Sequence, residues 1–226
     1  MFMNIAASID HTILKPTTTI AEIEQCCSEA VQYGFAAVCV PPPFVKRAAT
    51  ILAPTNVKIA TVVGFPFGYS ATEAKVAETI LAIVDGAHEI DMVINLIALR
   101  QADYAYLQKE VSLLVEVCHN KGRILKVIIE SGILYPEEII SCCEKLGPLG
   151  IDFMKTSTGY AEKGASIEAV HLMKKHLPAS VRIKASGGIR DYATAIAMVN
   201  AGANRLGCSS SVAIVSGAPD HQLGGY

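Results

Sequence analysis

Short apolar runs rich in β-branched residues alternate with longer helix-like stretches along the chain. The runs cover residues 7–12, 36–40, 58–64, 89–95, 125–130, 152–156, 181–185 and 205–209. Such near-continuous apolar runs mark parallel strands buried on both faces. The stretches between them carry helix punctuation. Thr19 and Glu22 form a capping box, and Gly34 closes that helix. Thr72 and Glu73 open another, which Gly86 ends. Residues 103–122 hold a long amphipathic pattern, and Pro136 suits a first helical position with Gly147 just past the end. Asp191 opens a further segment closed by Gly202. The helix after the second run is weakly marked, because Pro41-Pro42-Pro43 leads into it.

Eight strands, each followed by a helix, predict an α/β fold with one (β/α)8 TIM barrel spanning residues 1–226. The glycine-rich tail from about residue 217 is expected to be flexible. The main rival is a doubly wound open sheet, which calls for a glycine-rich turn after the first strand. Asp10-His11-Thr12-Ile13-Leu14-Lys15-Pro16 contains no glycine.

Composition narrows the function classes. The 226 residues are 51% hydrophobic, ample for one large core. The formal charge is −2 with no basic cluster, which argues against nucleic acid as a partner. No apolar run approaches the roughly 18 residues of a membrane span. The first residues, Met1-Phe2-Met3-Asn4, lack a secretory pattern. Seven cysteines, an odd number without metal-ligand spacing, suit small apolar core positions in a reducing compartment. These features together predict a cytoplasmic protein without a metal site or membrane partner.

Active sites of such barrels lie at the C-terminal strand ends. That rule selects Asp10, Thr12, Cys39, Asp91, Lys126, Glu130, Lys155 and Lys184. Alternation places Asp91, Val93 and Asn95 on one face of their strand, and Lys126, Ile128 and Glu130 on one face of the next. Lys155 and Lys184 end neighbouring strands, about 4.8 Å apart by sheet geometry. Free lysine has a pKa of about 10.4 and must lose its proton to attack a carbonyl. A dry barrel mouth and a second ammonium both favour that loss, and Asp91 balances the remaining cation and can move protons. Lysine, lysine and aspartate therefore read as Schiff-base chemistry. The competing reading is a purely structural ion network inside the barrel. Independently, Ser186-Gly187-Gly188-Ile189 and Gly207-Cys208-Ser209-Ser210 place glycine-rich turns on loops seven and eight, where barrels commonly bind phosphate. His11 reads as a packing histidine, and Gly64-Phe65-Pro66-Phe67-Gly68 as a loop shaping the mouth.

At these residues the sequence resembles the deoxyribose-phosphate aldolases, the Schiff-base aldolases of the DeoC family, over essentially the whole chain. The most specific pieces are the stretches 89–95, 126–130, 153–159 and 183–190, supported by Asp10-His11-Thr12, Gly64-Phe65-Pro66 and Gly207-Cys208-Ser209-Ser210. The resemblance implies that Lys155 forms the Schiff base, that Lys184 perturbs it and shares proton transfer with Asp91, and that Lys126 supports Asp91. It puts phosphate contacts on Gly159, Gly187, Gly188, Gly207, Ser209 and Ser210, while the strand-end rule puts Asp10 and Thr12 beside the substrate. Some members end in a tyrosine that helps move a proton, a position held here by Tyr226. The implied reaction is reversible cleavage of 2-deoxy-D-ribose 5-phosphate to D-glyceraldehyde 3-phosphate and acetaldehyde, in deoxyribonucleoside breakdown. It needs no metal or organic cofactor, and the family implies a homo-oligomer, dimer or tetramer. Ile97, Tyr160, Cys208, Ser211 and the charged loop 161–164 depart from common family residues. A sibling barrel enzyme acting on another phosphosugar, and a non-catalytic phosphate-binding barrel, are the alternatives.

Overall fold

A computed structural model of the chain describes residues 4–217. Its strands are β1 (Ile9–Thr12), β2 (Ala37–Val40), β3 (Lys58–Val63), β4 (Glu89–Val93), β5 (Ile124–Ile128), β6 (Phe153–Lys155), β7 (Arg182–Ser186) and β8 (Arg205–Cys208). They pair in parallel, in sequence order, and β8 returns to β1 to close the barrel. The helices are α1 (Ile20–Tyr33), α2 (Val45–Leu52), α3 (Thr72–Val84), α4 (Leu96–Arg100), α5 (Tyr104–His119), α6 (Pro136–Leu146), α7 (Ile167–His176), α8 (Tyr192–Ala201) and α9 (Ser211–Ser216).

Local chemistry explains the boundaries. Thr19 accepts from the Glu22 backbone while Glu22 reaches back to Thr19, completing the expected capping box. Gly34 ends α1 at φ 67°, a left-handed position that suits glycine. Asp103, Ser166 and Asp191 cap α5, α7 and α8 with side-chain oxygens.

Four local expectations need correction. Gly147 stays right-handed, and a further turn follows before Gly150 takes the left-handed position at φ 91°. The run 125–130 stops being strand at Ile128, and Glu130 turns left-handed at φ 55°, so Lys126 and Glu130 share no strand face. Asn95 also leaves its strand, and its side chain accepts from Ile97 and Ala98 as the cap of α4. That short helix, ahead of α5, was not expected.

The register sorts the strand residues into two sets. Ile9, Val38, Ile59, Ile90, Leu125 and Ile183 point outward and form the large apolar core between sheet and helices. Each such buried side chain contributes about 1.5–3 kcal/mol. Asp10, Asp91, Lys126, Lys155, Lys184 and Arg205 point inward, linked by the pairings Asp91↔Lys126, Lys155↔Lys184 and Lys184↔Arg205. Apolar contact inside the barrel is concentrated on the β2–β3 side, where Cys39, Ala60 and Val62 pack with Leu14 and Phe65. The barrel interior is therefore ionic on one side and apolar on the other.

Candidate active site

Asp91 is the hub of the ionic side. Its Oδ1 accepts from Lys126 Nζ at 2.7 Å. Its Oδ2 accepts from both Lys155 Nζ and Lys184 Nζ, each at 2.7 Å. Lys184 also donates to Asp10 Oδ2, and Arg205 Nε donates to Asp10 Oδ1 at 2.7 Å. Lys126 completes the network with an ion pair to Glu89 Oε2 at 2.6 Å. All these groups except Arg205 are buried, so solvent screens them little.

Charge balance distinguishes the lysines. Four basic side chains, Lys126, Lys155, Lys184 and Arg205, meet three carboxylates, Asp10, Glu89 and Asp91. The buried network is electrically neutral when one amine is uncharged. Burial, helped by the Lys184 ammonium, lowers the pKa of Lys155 against the pull of Asp91. Burial also opposes charge on Lys184, but Asp10 and Asp91 outweigh it and hold that pKa above the ordinary lysine value. Lys126 behaves likewise, with Asp91 and Glu89 overcoming burial. Burial would raise the Asp91 carboxyl, yet Lys126, Lys155 and Lys184 keep it well below the usual carboxylate range. Of the three lysines in this network, Lys155 alone is driven toward neutrality.

Lys155 is also where the network meets space. A cavity of ≈ 700 Å³ opens at the C-terminal strand ends, and Lys155 lines it, whereas Asp91, Lys126 and Lys184 do not. Gly159, Gly187, Gly188 and Ser209 line the same cavity. Among the described residues, the backbone N–H groups of these four donate to no protein acceptor. Gly159, Gly187 and Gly188 have φ of 88°, 85° and 82°, a backbone that glycine adopts without strain. Residues with unpaired N–H groups along one cavity supply the donors of a concave anion site. An amine poised to be neutral thus shares its cavity with free backbone donors.

Other predicted site residues divide. Gly207 lines the cavity, as does Thr12, whose hydroxyl donates to Asp10 O at 2.8 Å. Ser210 precedes α9 and does not line the cavity. Asp10, expected beside the substrate, is fully buried with its oxygens taken by Lys184 and Arg205. Cys39 lies within the interior apolar cluster. His11 points outward, bonded to Ser211 Oγ at 2.9 Å and Glu29 at 2.8 Å. Tyr226 lies outside the described residues. Among the described residues, no group of His, Cys, Asp or Glu is arranged to hold a metal ion. Sequence reasoning passed over Glu89 and Arg205. Their signal was present, since each sits two residues before an inward position, Asp91 and Gly207.

Residues 4–217 match the family model described as DeoC/LacD family aldolase. The chain belongs to this family. Among relatives of this aldolase, the deoxyribose-phosphate aldolase of Thermococcus gammatolerans is 50% identical over 218 residues, 96% of this chain and 97% of that one. The deoxyribose-phosphate aldolase of Caldanaerobacter subterraneus subsp. tengcongensis is 49% identical over 214 residues, 94% of this chain and 93% of that one. A solved structure of the deoxyribose phosphate aldolase from Aeropyrum pernix, described as tetrameric, superposes with TM-score 0.88 at 30% identity, covering 94% of this chain and 89% of that one.

Proposed function

We propose that this aldolase cleaves 2-deoxy-D-ribose 5-phosphate reversibly to D-glyceraldehyde 3-phosphate and acetaldehyde through an imine on Lys155. The observation that carries the reading is the lowered pKa of Lys155, the one network member that both loses its proton readily and lines the cavity. Family membership and the deoxyribose-phosphate aldolase relatives support the substrate.

The neutral Lys155 amine attacks the sugar aldehyde carbon. Lys184, bonded to the same Asp91 oxygen, supplies the proton that lets water leave and the imine form. The imine, still protonated on nitrogen, withdraws the electron pair of the C2–C3 bond as the C3 hydroxyl gives its proton to the Lys184 amine that the dehydration left neutral. Glyceraldehyde 3-phosphate departs, leaving an enamine on Lys155. Lys184 returns that proton to the enamine carbon, and attack by water, whose proton Lys184 takes up, releases acetaldehyde and restores the Lys155 amine and the Lys184 ammonium. Asp91 stays ionised and holds the two amines within proton-transfer distance, while Lys126 anchors its other oxygen. The phosphate sits against the free N–H groups of the β6, β7 and β8 loops and fixes the sugar by remote binding energy. Tyr226 as a proton carrier remains part of the proposal on sequence grounds.

Among the described residues, no helix is long and apolar enough to cross a membrane. The seven cysteines are free and buried, which supports a reducing cytoplasmic setting. Exposed Leu81 and Val84 on α3 support self-association as a dimer or tetramer, measurable by light scattering.

Borohydride added with deoxyribose 5-phosphate is expected to trap a covalent adduct on the peptide carrying Lys155. Acetaldehyde release without an adduct on that peptide overturns the imine on Lys155. Absence of acetaldehyde release overturns the substrate.

A further inference from the structure

Glu130 makes no hydrogen bond to the ionic network and feels only the charge of Lys155, yet its setting is unusual. It follows β5 with φ 55°, one of two described non-glycine residues with positive φ. Glycine would occupy that backbone region without strain, whereas a side chain there is disfavoured. The turn itself is needed, because it carries the chain from β5 so that Ser131 N donates to Thr156 O at 2.7 Å. What glycine lacks is the carboxylate. That group is buried, and burial pushes its pKa up. It accepts from Thr158 N at 3.2 Å and from the Thr158 hydroxyl. Thr158 Oγ1 in turn accepts from Tyr160 N at 3.0 Å, and the Tyr160 phenol donates to Leu14 O at 2.8 Å. A chain of hydrogen bonds therefore runs from the end of β5 through the β6 loop to the loop after β1. Gly159, with its free N–H, lies between the two residues that this chain clamps.

We propose that Glu130 is a positioning residue, whose buried carboxylate fixes Thr158 and thereby aims the Gly159 N–H at the substrate phosphate. The inference rests on the function proposed above and deepens it, since it says which group shapes one wall of the phosphate site. Thr158 Oγ1 has one hydrogen. Accepting from Tyr160 N leaves that hydrogen for Glu130, so the hydroxyl has one orientation. Removing the carboxylate frees Thr158 to rotate and leaves its N–H buried without an acceptor. Glycine at 130 accepts the left-handed backbone, so the turn itself survives the deletion.

The experiment compares wild type, Glu130→Gly and Glu130→Gln with two substrates, deoxyribose 5-phosphate and unphosphorylated 2-deoxyribose. With Glu130→Gly, KM for the phosphorylated sugar is expected to rise about tenfold, with a smaller change in kcat. Turnover of 2-deoxyribose should stay within about twofold of wild type. Glu130→Gln keeps a carbonyl acceptor for Thr158 and should recover most of the lost affinity. Glu130 also feels the Lys155 charge, so both variants, which lose the carboxylate charge alike, should move the acidic limb of the pH–rate profile slightly and equally to lower pH, while only Glu130→Gly loses affinity. Equal losses on both substrates overturn the proposal by placing the effect on Lys155. Unchanged KM in Glu130→Gly overturns it as well. Wild type that releases no acetaldehyde from deoxyribose 5-phosphate counts against the proposed function, a failure distinct from these.

Discussion

Lys155 and Lys184 stand directly opposite one another across β6 and β7, and both donate to the same oxygen of Asp91 at 2.7 Å. Two amines so placed cannot be equivalent. Lys184 has a second carboxylate partner in Asp10, and Lys155 has a cavity. The asymmetry of their partners, beyond mere proximity, separates the charged amine from the neutral one.

Lys184→Leu tests this division. Burial remains the main influence depressing the Lys155 pKa, but the repelling ammonium is gone and Asp91 attracts Lys155 unopposed. The folded pKa of Lys155 should rise, so the acidic limb of the pH–rate profile moves to higher pH. A fall in kcat of about 10²–10⁴ accompanies it, because the proton donor is lost as well. An unmoved limb, read from kcat/KM against pH, removes Lys184 from that role.

Lys155→Met should abolish acetaldehyde release yet stabilise the fold. A lysine with a folded pKa below its unfolded value of 10.5 destabilises the protein at pH below the folded value. That penalty is relieved as pH rises from the folded value through 10.5, because the unfolded chain then gives up its extra proton. Removing the amine also leaves three cations against three carboxylates. The expected gain near pH 7 is about 1 kcal/mol, a rise in Tm of roughly 2–4 °C, shrinking as the assay approaches the alkaline end. Thermal melts at two pH values measure it.

Gly207→Ala should disturb catalysis through packing. A Cβ there would lie 2.8 Å from Ser186 Cβ and 3.1 Å from Lys184 Cε. Ser186 must shift, and the Lys184 stem must give by a few tenths of an ångström, which loosens the grip of its amine on the shared Asp91 oxygen. A loss of about 1–3 kcal/mol in stability is expected, with kcat at least roughly tenfold lower. Denaturant titration and steady-state assays separate the two effects.

Behind β4, Lys75 and Glu110 form a fully buried ion pair at 2.7 Å. Lys75 also donates to Val93 O at 2.8 Å, and Glu110 accepts from Asn95 N at 3.0 Å, so the pair holds the chain where β4 ends. Burial lowers the lysine pKa and raises that of the glutamate. Lys75→Met alone strands a buried carboxylate and should cost about 3–5 kcal/mol. The double variant Lys75→Met with Glu110→Gln keeps an acceptor for Asn95 and should recover most of that loss. A double variant as unstable as the single one refutes the account.

Much of this was legible because strands and catalysis leave periodic marks. The eight apolar runs located the strands, and two lysines located the chemistry, although only Lys155 ends its strand and Lys184 sits in the middle of β7. Asp10 was read as facing substrate because alternation tells inside from outside, not depth along the barrel axis. Lys75 and Glu110 had no readable signal, since they lie 35 positions apart on different helices and meet only when α3 packs against α5. Glu130 was assigned to a strand face because a left-handed turn in a non-glycine residue breaks the alternation that the reading relied on. The short α4 was hidden inside what reads as a loop.

The loops after β5, β6 and β7 are meshed through glycines. A Cβ on Gly132 would fall 2.0 Å from Lys163 O, and one on Gly164 would fall 2.2 Å from Gly187 O. The loops after β1 and β3 meet the β6 loop only lightly in comparison, through the Tyr160–Leu14 hydrogen bond and the Phe65–Tyr160 ring contact at 5.4 Å. Adaptation to new acceptor aldehydes is therefore unevenly distributed around the mouth. Lengthening any one of the three meshed loops demands simultaneous change in its neighbours, a step that single mutations seldom reach. The β3 loop is itself tied to the chain after β4, because a Cβ on Gly68 would strike Ile94 O, so the β1 loop is the one that can vary one residue at a time, and libraries aimed at new substrates should begin there.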